Sequence, residues 1–211
     1  MEIYQPSDDS YFFADFLKKY FNSSKVKSHL DMGTGSGILA KTSLKFISPK
    51  SILAADINPD AISALSKEKF QTIQSDLFKK IPNKFDLITF NAPYLPLDLR
   101  EPRSSRLATT GGKRGDEISI KFLRQAKQHL KSRGKIFLLI SSLTPLDKLK
   151  KFNPKIVAKK KIDICMLYNK DMDVNPNFYY FTGYKGVGAL IYGKNKILLA
   201  PKMEIGRAKK S

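Results

Sequence analysis

The chain has 211 residues, 42% of them hydrophobic, which suits one domain with a substantial core. Lys and Arg number 38 against 19 Asp and Glu, a formal net charge of +19 that favours an anionic partner, nucleic acid included, without identifying one. A single cysteine, Cys165, excludes an intramolecular disulfide and a thiolate cluster, and the two histidines, His29 and His129, lack ligand spacing, so no protein-held metal is expected.

No apolar run approaches the ~20 residues that cross a bilayer, and "MEIYQPSDDS" lacks the basic and apolar blocks of a signal peptide. A cytoplasmic protein without a membrane partner is therefore expected. Cys165 itself, in "IDICMLY", reads as a small core residue.

In chain order, Ser7, Asp8 and Asp9 can cap a helix whose Phe12, Phe13, Phe16, Leu17 and Tyr20 recur at helical spacing. "SHLDM" (28–32) reads as a buried strand, followed by a Gly-rich turn and a helix through "SGILAKTSLKF". "SILAADI" (51–57) is a second strand, and Pro59 opens the next helix. Short strands follow near "QTIQ" and at "FDLITF" (85–90). Residues 92–115 form a long loop with three prolines and three glycines, the kind that carries function. A helix is expected over 116–134, capped by Asp116 and stopped by Gly134, and a strand over 135–142. Alternating strands and helices predict an α/β fold, a mostly parallel sheet covered on both faces. Beyond about 153 strand-like pieces take over, with "GVGALIY" and "KILLA" joined by a hairpin at "GKNK". The division expected is a main domain over 1–170 and a short, basic, β-rich extension over 171–211, whose tail "GRAKKS" reads as disordered.

"LDMGTGSG" (30–37) follows a strand and opens a helix, where Gly33, Gly35 and Gly37 let the backbone bend sharply and approach a ligand. Position 38 is Ile, so the G-x-G-x-x-G dinucleotide pattern is not met. Acids end the successive strands. Asp31 precedes the turn and can face an ammonium group, Asp56 can accept ribose hydroxyls, and Asp76 with the Leu77 backbone can meet an adenine edge. The next strand ends in "FNAPYLP", which places an amide, a proline and an exposed phenol at the same edge.

These stretches, with "AADINPDA", "QSDLF" and "TTGGKRGDEISIKFLRQAKQHLKSRGKIFLLISSLT", resemble the Rossmann-like class I S-adenosylmethionine-dependent methyltransferases. Within them the chain is similar to the short archaeal and eukaryotic form of the HemK-like enzymes, which methylate a release-factor glutamine. The resemblance spans about residues 3–168 and includes "YQPSDDS", similar to the family's Pro-x-Glu-Asp-Thr segment. It implies S-adenosyl-L-methionine as cofactor, held by Ser10, Asp31, Gly33, Gly35, Gly37, Asp56, Asp76, Leu77 and Asn91. It implies a catalytic segment Asn91, Ala92, Pro93 and Tyr94, with Ala92 where the family has proline. The implied substrate is the Gly-Gly-Gln loop of a class 1 release factor, and a small zinc-binding activator subunit is a further implied partner.

The residues also suggest how such a site works. A planar NH2 is a poor nucleophile, and the Asn91 oxygen with the carbonyl of residue 92 can hold its two N–H groups while Tyr94 stacks on it. Arg100, Arg103, Arg106, Lys113 and Arg114 would flank the target. Two other readings remain open at this level: N6-methylation of adenine in RNA or DNA, supported by the charge and the aromatic run 177–186, and a binding module that keeps the cofactor fold without catalysis.

Overall fold

The computed structural model describes residues 3–99, 101, 103–141, 144–163, 185–193 and 196–198, with side chains as far as residue 160. Arg100, Cys165, the aromatic run as far as Tyr184 and the tail 206–211 lie outside the described residues.

Five strands, β1 (His29–Met32), β2 (Ile52–Asp56), β3 (Gln71–Gln74), β4 (Phe85–Asn91) and β5 (Leu130–Ser141), form a parallel sheet in the order β3-β2-β1-β4-β5. Beside β5 lies antiparallel β7 (Lys185–Gly193), flanked in turn by β6 (Lys155–Asp163) and paired with β8 (Lys196–Leu198). The expected hairpin therefore exists, with Gly193 opposite Lys196. Strands β7 and β8 come from the stretch expected as an extension, and they take places in the same sheet.

Helices α1 (Asp8–Asn22) and α2 (Ile38–Ser43) cover one face, and α5 (Glu117–Ala126) covers the other. Strand periodicity decides which core each residue joins. In β5, Phe137 and Leu139 meet Phe13, Leu17 and Phe21 of α1, while Ile136, Leu138 and Ile140 meet Phe122, Leu123 and Ala126 of α5. Phe122 is fully buried, and its truncation to Ala would cost about 3–5 kcal/mol. Between the sheet's other strands run α3 (Pro59–Ala64) and, within the 92–115 loop, α4 (Arg103–Thr109).

Three boundaries differ from the sequence expectation. The loop 92–115 contains α4, whose hydroxyls are tied to Glu101: Ser105 and Thr109 donate to its Oε1, and Thr110, just beyond the helix, to its Oε2. Helix α2 stops at Ser43, where Thr42 turns its hydroxyl back onto the Ile38 carbonyl at 2.8 Å, an arrangement that weakens a helix, and the Ser43 hydroxyl is turned to His29. Helix α5 ends at Ala126, and β5 begins at Leu130 because Leu130 pairs with Phe85 before the register slips. Gly134 serves that bulge rather than stopping a helix, since a Cβ there would stand 2.8 Å from the Phe85 carbonyl.

The parallel connections place the carboxyl ends of β1 to β4 along one edge. The chain leaves β1 towards β2 on one side and returns through β4 on the other, so a crevice opens between them.

Candidate active site

A cavity of about 270 Å³ fills that crevice, and of the cofactor and catalytic residues expected from sequence only Gly37 stands outside its wall. Of the basic residues expected beside the target, Arg103, Arg106, Lys113 and Arg114 also stand outside it, with Arg106 turned to the Leu99 and Glu101 carbonyls and Arg114 to Asp147. The turn after β1 needs glycine for two separate reasons. Gly33 and Gly35 have φ of +59° and +51°, and a Cβ on Gly33 would come within 2.7 Å of the Phe90 ring. Gly37, at φ +79°, starts α2 and faces Leu65, so its place is in the packing behind the cavity.

Asp31 is 1% exposed, and its two oxygens accept from the Thr34 hydroxyl (2.7 Å), the Ala40 N–H (3.1 Å) and the Thr89 hydroxyl (2.9 Å). Burial raises its carboxyl to about 6, against the opposing pull of those bonds. Thr89 spends its proton on Asp31, so it accepts from His29 Nε2 at 2.8 Å, and His29 Nδ1 accepts from Ser43 at 2.7 Å. Burial lowers His29 to about 3, which keeps this chain of hydrogen bonds neutral behind the carboxylate.

Asp56 accepts from the Gly35 N–H at 2.8 Å and the Asn58 N–H at 2.9 Å, which ties the glycine turn to the end of β2. Each oxygen keeps a lone pair for another donor. Burial raises this carboxyl too. Asp76 is more open and is paired with Lys79 at 2.7 Å and Lys121 at 3.3 Å, and the Lys79 hydrogen bond is the main cause of its lowered pKa. Leu77 sits at φ +48°, strained for a branched side chain, and the Ser75 hydroxyl holds its carbonyl at 2.7 Å.

The β4 end joins the N-terminal segment. Asn91 donates its amide nitrogen to Asp9 Oδ2 and to Ser10 Oγ, both at 3.2 Å, and its Oδ1 is buried with no donor. Tyr94 is not the exposed phenol expected. Its ring packs against the α1 core and its hydroxyl donates to Asp9 Oδ2 at 3.2 Å, because Asp9, 4% exposed, collects donors from both segments. Burial and then the Asp9 charge push Tyr4 up to about 12 and Tyr94 well above its ordinary range. Ala92 is 2% exposed.

The "TTGGKRGDE" block braces this segment from outside. Leu95 donates to the Thr109 carbonyl and accepts from the Gly111 N–H, both at 2.9 Å. A Cβ on Gly111 would stand 2.5 Å from the Pro93 carbonyl, and one on Gly115, at φ +86°, 2.7 Å from the Tyr94 carbonyl. The sequence reading missed Asp9, Tyr4 and Lys121 as cavity residues. For Asp9 a signal existed, since it is the second aspartate of "PSDDS", but helix capping explained it equally well.

The wall carries Asp9, Asp31, Asp56 and Asp76 against one cation, Lys121, which favours a positively charged ligand. Among the described residues no helix is long and apolar enough to cross a membrane, and no acid, histidine or cysteine cluster is placed to hold a metal ion.

Residues 10–162 match the family model of the methyltransferase small domain. A protein from Methanocaldococcus jannaschii, named as a protein N5-glutamine methyltransferase, is 34% identical over 175 residues, covering 77% of this chain and 86% of its own. The release factor glutamine methyltransferase of Lactococcus lactis is 32% identical over 124 residues, 53% of this chain and 46% of its own. Among solved structures, the ribosomal protein L11 methylase of Lactobacillus delbrueckii superposes with a TM-score of 0.57 at 19% identity, covering 90% of this chain and 81% of that one, a likeness of fold.

Proposed function

The chain belongs to the methyltransferase small domain family, and from that premise we propose that it methylates the side-chain nitrogen of the glutamine in the Gly-Gly-Gln loop of a class 1 release factor. It is a methyltransferase that uses S-adenosylmethionine. The residues fit that cofactor, which carries a sulfonium and an ammonium: the carboxylates Asp31, Asp56 and Asp76 line its side of the cavity, and the turn at Gly33 and Gly35 offers backbone without side chains. We assign Ser10, Asp31, Gly33, Gly35, Asp56, Asp76 and Leu77 to the cofactor. When bound, it supplies an electrophilic methyl group.

The observation that carries the choice of a nitrogen target is the Asn91 Oδ1, a buried acceptor without a donor on the cavity wall. A glutamine amide has two N–H groups. One can satisfy Oδ1 and the other the Ala92 carbonyl, which fixes the nitrogen and leaves its lone pair directed away from both acceptors. Replacing proline by Ala92 preserves that carbonyl, and Pro93 still restricts residue 92 to extended backbone. The proton displaced from nitrogen leaves after transfer, so no general base is needed beforehand. Tyr94, anchored through its hydroxyl, offers a ring edge that limits water at the target. The cytoplasm, where translation terminates, is the location this reading implies.

The deciding experiment incubates the protein with radiolabelled S-adenosylmethionine and either a class 1 release factor or total RNA, then maps the label by mass spectrometry. Label on the Gly-Gly-Gln glutamine is expected. Label on RNA alone would overturn the reading in favour of adenine methylation, and cofactor binding without label on either would point to a non-catalytic module.

A further inference from the structure

Asp9 stands in the first turn of α1 and joins two segments 82 residues apart. Its Oδ1 accepts from the Ser7 hydroxyl, the Ser10 N–H at 2.6 Å and the hydroxyls of Ser10 and Tyr4 at 3.1 Å. Its Oδ2 accepts from Asn91 Nδ2 and from the Tyr94 hydroxyl, both at 3.2 Å. A carboxylate only accepts, so the Asn91 atom facing it has to be the nitrogen. The second N–H of that nitrogen goes to Ser10, at 3.2 Å. Turning the amide over would set Oδ1 against the carboxylate and lose the bond to Asp9, which cannot be reversed, while the Ser10 hydroxyl could only exchange roles. The oxygen is thereby left as the atom with no donor.

We propose that Asp9 is a positioning residue that dictates the amide orientation of Asn91, and so restricts the site to substrates whose reacting atom is an NH2 nitrogen. The catalytic consequence rests on the proposed methyl transfer, whereas the orientation rests on the hydrogen bonds alone. A hydroxyl, thiol or carboxylic acid has at most one proton to give and leaves either Asn91 Oδ1 or the Ala92 carbonyl without a donor, whereas an NH2 group meets both.

The test is Asp9→Asn, where the introduced amide can present either oxygen or nitrogen and no longer dictates the flip. The expected result is a kcat about 30- to 100-fold lower, with the S-adenosylmethionine Kd, read by calorimetry, within about twofold of wild type. The side-chain 15N–1H resonances of Asn91, identified by their loss in Asn91→Ala, should shift and exchange faster with solvent. Wild-type kcat, or Asn91 resonances that do not move, would overturn the proposal. If the unaltered protein leaves the release factor unmethylated, the functional reading fails, yet the resonance shift still decides the role of Asp9.

A second variant covers a folding failure. In D9N/N91D the carboxylate at position 91 is an acceptor on both atoms and needs no orienting, and the amide at position 9 donates to it. Recovery of about a tenth of wild-type kcat or more supports the proposal, because a merely structural Asp9 would not be rescued by a second change at the catalytic amide. A folded double variant without activity counts against it.

Discussion

Along β1, β2 and β3 the carboxylates at the cavity are already met by donors of their own chain: Asp31 by Thr34, Thr89 and Ala40, Asp56 by Gly35 and Asn58, Asp76 by Lys79 and Lys121. At the end of β4, Asn91 keeps a buried oxygen that nothing satisfies. Burying an acceptor without a donor costs about 1–3 kcal/mol, so a fold tolerates it where a ligand completes the bond. The first side is a finished mould that can hold the same cofactor through every turnover. The second is incomplete until the target arrives. The two also differ in wiring, because the bonds of Asp31, Asp56 and Asp76 span from 2 residues, at Asn58, to 58, at Thr89, whereas those of Asn91 and Tyr94 to the N-terminal segment span 81 to 85.

Breaking the second side without touching the first is the strongest test of that contrast. Asn91→Ala removes the unsatisfied acceptor, and kcat should fall by ~10³-fold, as for other preorganised groups that act in the transition state. Cofactor affinity, measured by calorimetry, should change by less than about threefold. Full activity in this variant would refute the role given to Asn91, and a parallel loss of cofactor binding would merge the two sides into one. Gly115→Ala attacks the same side from behind. It forces alanine to φ +86° and brings a Cβ to 2.7 Å from the Tyr94 carbonyl, so a loss of about 3 kcal/mol in urea unfolding is expected, with slower transfer by whatever protein remains folded. Unchanged stability would mean that the Asn91–Tyr94 segment is not braced by the glycine block.

The contrast also explains what could be read from the sequence. The cofactor side was legible because its pieces are local: a glycine turn between a strand and a helix, and an acid at each following strand end. Asp31, Gly33, Asp56, Asp76 and Leu77 all line one cavity. Gly37 belongs to the same motif but packs on Leu65, a distinction that spacing does not encode. On the target side Asn91 and Tyr94 were legible as a motif, whereas the anchoring of the Tyr94 hydroxyl and the amide flip depend on Asp9, and no local pattern pairs positions 9 and 91. Helix α4 was hidden by the prolines and glycines around it, because what supports it is side-chain bonding of Ser105 and Thr109 to Glu101, four and eight residues back, and not helix propensity. Strand β5 starts five residues early for a similar reason, since pairing with Phe85 overrides a run that reads equally well as helix.

On the cofactor side the buried chain from Ser43 through His29 and Thr89 to Asp31 makes a pH-dependent prediction. His29 is lowered to about 3 in the folded protein, so the unfolded chain takes up its proton first as the pH falls below ~6.5. The stability it confers is complete above that pH and drains away at about 1.4 kcal/mol per unit below it. Asp31, raised to about 6, acts in the opposite sense, because its contribution is complete at acid pH and is lost as the pH rises through about 6. Comparing the protein with His29→Gln cancels most of the Asp31 effect. Urea midpoints should show the wild type losing roughly 2 kcal/mol relative to the variant between pH 6.5 and 5. Parallel pH profiles would mean that His29 is not held neutral, and the proton directions assigned along the chain would fail with it.

The smallest expected effect lies at the start of α3, where Asn58 accepts from the Asp60 N–H at 3.0 Å and donates its own N–H to Asp56. Its side chain caps a helix of six residues that borders the cavity, and Asn58 itself is 5% exposed. Asn58→Ala should cost about 1 kcal/mol, or roughly 2–4 °C in Tm for a chain of this size. Because Asp56 receives the Asn58 backbone N–H and not the side chain, the carboxylate keeps both donors, and the cofactor Kd should weaken only severalfold through loosening of the turn. Asn58→Asp retains an acceptor of the same reach and should restore both quantities. At saturating cofactor the kcat of either variant should match wild type, since neither touches Asn91 or the segment that braces it. A drop in kcat at saturation would show that the finished side of the cavity also shapes the transition state, and the division between holding the cofactor and orienting the target would have to be redrawn around α3.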